Sequence, residues 1–232
     1  MLHTRVAIVA GIAGLFLLPS LEYSQAGSQG AAGAPAQTGR GRGDPPPPDP
    51  TRPHRLEIQS GTKARYRVTE QLAGISFPSD AVGTTEAITG AIIVNPDGTL
   101  APESKLTVDL RTLTSDQSLR DAYIQQRTLE TEKFPMLEFA PARAVGLSSP
   151  MPAGRGAQAG FQLVGRMTLH GVTREATWNV VATFSNTDVS GRATTTVDFA
   201  TFNMTKPSLA RLLSVDDKIQ LEVEFRCRRT VM

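Results

Sequence analysis

Few residues of this 232-residue chain have the type and spacing that chemistry requires. Histidine occurs only at His3, His54 and His170. No His, Cys, Asp and Glu cluster has the ligand count of a typical zinc site. A Gly-rich phosphate loop ahead of a Lys is absent, as is a Gly-x-Ser-x-Gly elbow. Asp216-Asp217 could work as paired carboxylates, but beside Lys218 at the start of a strand the pair reads as a solvated turn. Arg120-Asp121 are neighbours on a predicted helix and point to different faces, so they read as separate anchors of that helix, not a catalytic pair. His170 lies in a polar turn and reads as a turn residue, not a base. Cys227, the single cysteine, forms no internal disulfide and continues the alternation of Phe225 as a small buried apolar residue. A reactive thiol has only Arg226 and Arg228 in its favour. The chain is therefore expected not to be an enzyme and to need no cofactor or metal, leaving the apolar residues to carry the function.

Those apolar residues fall on strands. The stretch Gly160 to Phe184 is the clearest, with Phe161, Leu163, Met167 and Leu169 on alternate positions before a His170-Gly171-Val172-Thr173 turn. Ala176, Trp178, Val180, Ala182 and Phe184 alternate after it. Period two marks strands with one buried face, and the polar connection with its Gly closes a hairpin. Leu56 and Ile58, Tyr66 and Val68, Ile88 to Val94, Leu106 to Leu110, Leu137 to Val145 and Ala193 to Phe199 read as further strands. Ile219, Leu221, Val223 and Phe225 alternate with Lys218, Gln220, Glu222 and Glu224 in the cleanest pattern of all. Asp116 to Leu129 is the only convincing helix, capped by Asp116, with Leu119, Tyr123 and Ile124 inward, and Phe134-Pro135 stops the chain beyond it. Leu72 to Gly83 reads as a loop or short helix beside the mouth, and Thr201 to Val215 as irregular.

One-sided alternation argues antiparallel pairing. The expected fold is mainly β, an antiparallel eight-stranded barrel with one inserted α-helix; a two-sheet sandwich is the alternative. Closure removes the exposed edges that a sheet leaves. The charges at Lys218, Glu222 and Glu224 argue against a transmembrane barrel.

The N-terminal segment is of a different kind. Met1 to Arg5 is basic, Val6 to Leu18 is an apolar run of about 13 residues, and Ser24-Gln25-Ala26 supplies small residues. This is the pattern of a signal peptide over 1–26, too short for the roughly 20 residues of a span, and it predicts a periplasmic or secreted protein. Residues 27–54, rich in Gly, Ala and Pro, read as a disordered linker stiffened near Asp44-Pro45-Pro46-Pro47-Pro48-Asp49-Pro50, and the folded domain as 55–229. A net charge of +2 gives no reason to expect nucleic acid as a partner.

Several of these features together resemble the YceI-like family of exported, lipocalin-like proteins that bind polyisoprenoids. They are Arg120-Asp121, Phe134-Pro135 and Phe139, then Gly165-Arg166-Met167-Thr168-Leu169-His170-Gly171-Val172-Thr173, then Phe202-Asn203-Met204 and Val215-Asp216-Asp217-Lys218-Ile219. Met167 stands where the family usually has Leu, and Tyr123 where it has a His. The resemblance implies an apolar cavity holding an isoprenoid chain such as a prenyl lipid or quinone tail, with the protein as carrier or buffer; the alternatives are an enzyme that uses the barrel as a reaction chamber and an envelope interaction module. The residues themselves leave two readings open. Phe161, Leu163, Met167, Leu169, Trp178, Val180, Phe184, Leu221, Val223 and Phe225 could line a cavity or fill a solid core. Arg120, Arg127 and Lys206 are the cations expected to meet a phosphate head at the mouth. At roughly 0.3 kcal/mol per ligand atom, an isoprene unit contributes about 1.5 kcal/mol. Micromolar binding then takes about five or six enclosed units.

Overall fold

The computed structural model describes residues 45–208 and 210–232; the predicted signal peptide and most of the linker lie outside the described residues. The strands are β1 (His54–Ile58), β2 (Lys63–Leu72), β3 (Ser79–Thr85), β4 (Ile88–Val94), β5 (Lys105–Asp109), β6 (Met136–Val145), β7 (Ala157–Leu169), β8 (Val172–Phe184), β9 (Asp188–Asp198), β10 (Leu212–Val215) and β11 (Lys218–Val231). Neighbours run β4-β5-β6-β7-β8-β9-β11, and β1 pairs with both β11 and β4, so the sheet closes into an antiparallel eight-stranded barrel. That closure excludes the sandwich, which would leave edges open.

Two staves of the barrel are broken midway. Strand β11 pairs with β1 through Cys227 to Val231 and with β2 through Gln220 to Glu224. Strand β3 lies against β2 as β4 lies against β1. The side-chain alternation seen in the sequence is the alternation of burial. On β8, Trp178, Val180, Ala182 and Phe184 are buried while Val181 is 65% exposed. The outer face is laced by ion pairs such as Arg65–Glu224 and Arg67–Asp80, which explains the charges between the apolar positions. The β7–β8 turn has His170 at φ 50° and Gly171 at φ 72°, the two left-handed residues of a tight hairpin that continues the strand twist.

Four expectations change. The end of Leu72 to Gly83, read as loop or short helix, belongs to β3, whose inward positions Ala81, Gly83 and Thr85 are too small to show a hydrophobic period. Within the stretch read as irregular, Leu212–Val215 pairs with β2. The helix is shorter than expected. It spans Ser118–Tyr123 (α1) and continues as a wider π turn over Ile124–Thr128. Asp116 does not cap it; Gln117 stands at the cap position without a side-chain bond. Leu119 is 82% exposed, because the helix is fastened by Arg120 and Asp121, which turns the preceding position outward. Finally, His54 belongs to the folded unit, where it opens β1 and is only 4% exposed. Arg229 can only donate, so His54 Nδ1 accepts its hydrogen bond (2.8 Å) and Nε2–H donates to Asp49 O (2.7 Å).

Candidate functional site: an apolar cavity inside the barrel

The inward faces of the staves do not meet at the barrel axis. They leave a cavity of about 140 Å³. It runs from Leu110 and Leu113 below the helix to Leu147 and Met151 under the opposite loops. On that scale an engineered dry cavity takes up one benzene molecule. The space therefore suits roughly one isoprene unit or one six-membered ring, and a longer chain requires wall side chains to move.

Eight of the ten apolar residues singled out in the sequence line this space: Phe161, Leu163, Trp178, Val180, Phe184, Leu221, Val223 and Phe225. Met167 and Leu169 are 0% and 4% exposed but are not on its wall. They lie at the end of β7, within the same buried cluster as the wall residues. The wall also takes in Leu56, Ile92, Leu106, Leu137 and Phe139, whose alternation was visible in the sequence. Leu113, Leu147 and Met151 come from connections with no period to find them by, whereas Leu110 ends the alternation of Leu106 and Val108 and opens the turn after β5.

Two residues of this apolar wall bury a polar atom. Trp178 Nε1 and Tyr66 Oη are buried, and neither has a hydrogen-bond partner among the described residues. The Tyr66 ring lies against Gly83, its neighbour in register on β3, where a Cβ would come within 2.1 Å of the ring. Burial pushes the Tyr66 phenol up to about 12, so it stays protonated at neutral pH. Cys227, also on the wall, is a free, buried thiol pushed up to about 12 by burial.

The cations expected at the mouth are not equally free. Both terminal guanidinium nitrogens of Arg120 are engaged, Nη2 with Glu70 Oε1 at 2.6 Å and Nη1 with Asp116 Oδ1 at 2.6 Å. Burial works against that charge, but the bond to Asp116 and the charge of Glu70 outweigh it and raise the Arg120 pKa. Lys206 Nζ is 2.6 Å from Asp217 Oδ1 on the surface. Arg127 is exposed, on the π turn. His170 does more than turn the chain. Its Nε2 lies 2.9 Å from Glu130 Oε2, its Nδ1 3.1 Å from Phe202 O, and its ring meets Phe134 edge-on at 4.7 Å. It ties the hairpin to the helix connection and to the turn after β9. Among the described residues no three His, Cys, Asp or Glu side chains gather as a metal site, and no helix is long and apolar enough to cross a membrane.

A closed antiparallel barrel around an apolar cavity, with a short helix between β5 and β6, defines a lipocalin-like class of protein. The model of the YceI-like domain matches residues 59–227, and the chain belongs to that family. The fold is similar to a polyisoprenoid binding domain from Saccharophagus degradans implicated in plant cell wall breakdown. That comparison has a TM-score of 0.61 at 12% identity, covering 76% of this chain and 98% of that one. It is similar also to Burkholderia cenocepacia BcnA (TM-score 0.53, 14% identity, 71% and 95% covered). A third is the Campylobacter jejuni YCEI protein (TM-score 0.51, 14% identity, 68% and 90% covered). Among curated proteins none matches the sequence.

Proposed function

We propose that the protein binds one isoprenoid chain, a prenyl lipid or quinone-like lipid, inside the barrel and acts outside the cytoplasm as its carrier or buffer. The observation that carries this reading is the apolar cavity running between the two ends of the closed barrel. The family and the polyisoprenoid binding named for the Saccharophagus degradans domain support the ligand class. Export rests on the signal-like pattern of residues 1–26. A binding role in place of catalysis fits the wall. Of its titratable residues, Arg65 reaches out to Glu224 and Glu222 to Arg67, leaving Tyr66 and Cys227, both held neutral.

The test is native mass spectrometry and solvent extraction of the purified protein, followed by incubation with prenyl lipids. The expected result is a one-to-one complex that survives desalting. A protein that is isolated empty and takes up no prenyl chain of five or more units overturns the reading.

A further inference from the structure

The exposed apolar residues are unevenly spread over the outside of the barrel. Among the described residues eight large apolar side chains are exposed, and four of them belong to the end that the helix covers. Ile75 (50%) and Phe77 (79%) stand on the β2–β3 connection, and Leu213 (68%) on β10. Backbone pairing holds these two segments together. Leu72 pairs with Leu212, and Ala73 N–H donates to Arg211 O at 2.8 Å. The fourth, Leu119, is on the helix that Arg120 ties to Glu70, and Glu70 itself pairs with Ser79 of β3 and Val215 of β10. Three separate connections thus bring their exposed apolar side chains to the end of β2. Single exposed apolar residues are ordinary, but several gathered in one place mark an interaction surface.

The charge on these segments has one sign. Residues 71–79 carry no charged side chain, and residues 207–215 carry one, Arg211. Arg211 is exposed and forms no ion pair among the described residues, and the same holds for Arg127 on the π turn. The carboxylates around the surface are engaged. Arg120 holds Glu70 and Asp116, Arg67 holds Asp80, Lys206 holds Asp217, and Asp216 accepts from Lys218 N–H. We propose that this end of the barrel docks on an anionic lipid bilayer, with Ile75, Phe77 and Leu213 entering the boundary between headgroups and acyl chains and Arg211 meeting a lipid phosphate. Aromatic and aliphatic side chains beside a basic residue hold a protein at such a surface without a span, and each cation near it adds to the attraction. The surface lies outside the barrel, so docking does not depend on what the cavity holds.

The experiment adds the full chain to vesicles of phosphatidylcholine with phosphatidylglycerol, and to vesicles of phosphatidylcholine alone, both brominated in the acyl chains. Bromine quenches a tryptophan that reaches those chains, so the signal is local to the tryptophan. The single native one, Trp178, is buried and gives a constant background. Phe77→Trp and Leu213→Trp, each checked for an unchanged thermal melt, should be quenched beyond that background. Val181→Trp, on the exposed outer face of β8, should not. Read from the Leu213→Trp signal, Phe77→Ser should weaken docking at least about tenfold. Arg211→Glu, read from the Phe77→Trp signal, should weaken it at least about fivefold on the mixed vesicles and leave phosphatidylcholine alone unchanged. Equal quenching at positions 77 and 181, or none at position 77, overturns the proposal. Dimerisation without vesicles that Phe77→Ser abolishes, seen by analytical ultracentrifugation, overturns it in favour of a second copy of the chain on this surface. Uptake of prenyl lipid into the barrel would survive either failure.

Discussion

Arg120 on the helix and Glu70 on β2 form an ion pair of 2.6 Å whose side chains are only 12% and 7% exposed. It fastens the connection that covers one end of the barrel to the barrel wall. Removing one partner of such a pair leaves a buried charge uncompensated. Arg120→Met should therefore cost about 3–5 kcal/mol in urea unfolding. The double variant with Glu70→Leu should recover most of that loss. A cost under about 1 kcal/mol for the single variant would mean the pair is not a strut.

Gly83 and Tyr66 should behave as a coupled pair. A Cβ on residue 83 meets Tyr66 Cε1 at 2.1 Å, so the ring must leave its place in the wall. Gly83→Ala should destabilise by about 1–3 kcal/mol, as overpacking does. With Tyr66→Ala already in place the same change should be nearly neutral, and a double-mutant cycle by thermal unfolding measures the difference.

The wall and the rest of the interior separate binding from folding. Leu221 lines the cavity, whereas Met167 is fully buried and off its wall. Leu221→Trp should place its ring in the cavity and weaken prenyl-lipid uptake at least about tenfold, with a stability change under about 1 kcal/mol. Met167→Trp should instead cost about 1–3 kcal/mol or more in folding. Parallel losses in both variants would count against a cavity.

Alkali should weaken the fold through Cys227. Its thiol is raised by burial from 9.0 to about 12, so between those values the folded chain keeps a proton that the unfolded chain has lost. The contribution is complete below pH 9 and is lost as pH rises toward 12. The unfolding free energy measured from pH 8 upward should fall by an amount on the order of 2–4 kcal/mol. In Cys227→Ala the fall should begin about one unit later, with Tyr66. The same burial predicts slow labelling of Cys227 by thiol reagents at neutral pH unless the protein is unfolded.

Much of the barrel was legible in the sequence because a strand with one wet face writes its fold as period two. The β7–β8 hairpin and β11 carry that pattern with large apolar residues and were read from it. Strand β3 was not, because Ala81, Gly83 and Thr85 face inward under the Tyr66 side and small residues leave no period. Leu119 was read as inward from helical spacing, which gives relative positions on a face and not the face that is buried; Arg120 and Asp121 decided that by their partners Glu70 and Ser115. The same limit applies to Arg120 as a candidate head-group cation, since Glu70 lies 50 residues away in the chain.

By itself the sequence determined which side of each strong strand is apolar, the antiparallel hairpin at His170-Gly171, the inserted helix and the family to which the chain belongs. Only the tertiary structure decided where the inward faces touch and where they stay apart. Phe161 and Met167 sit six positions apart on β7 with the same inward alternation, yet one borders the cavity and the other, fully buried, does not. Alternation assigns a side chain to the inside. Whether it meets another side chain there depends on strands far away in the chain and on how the closed barrel sets their separation.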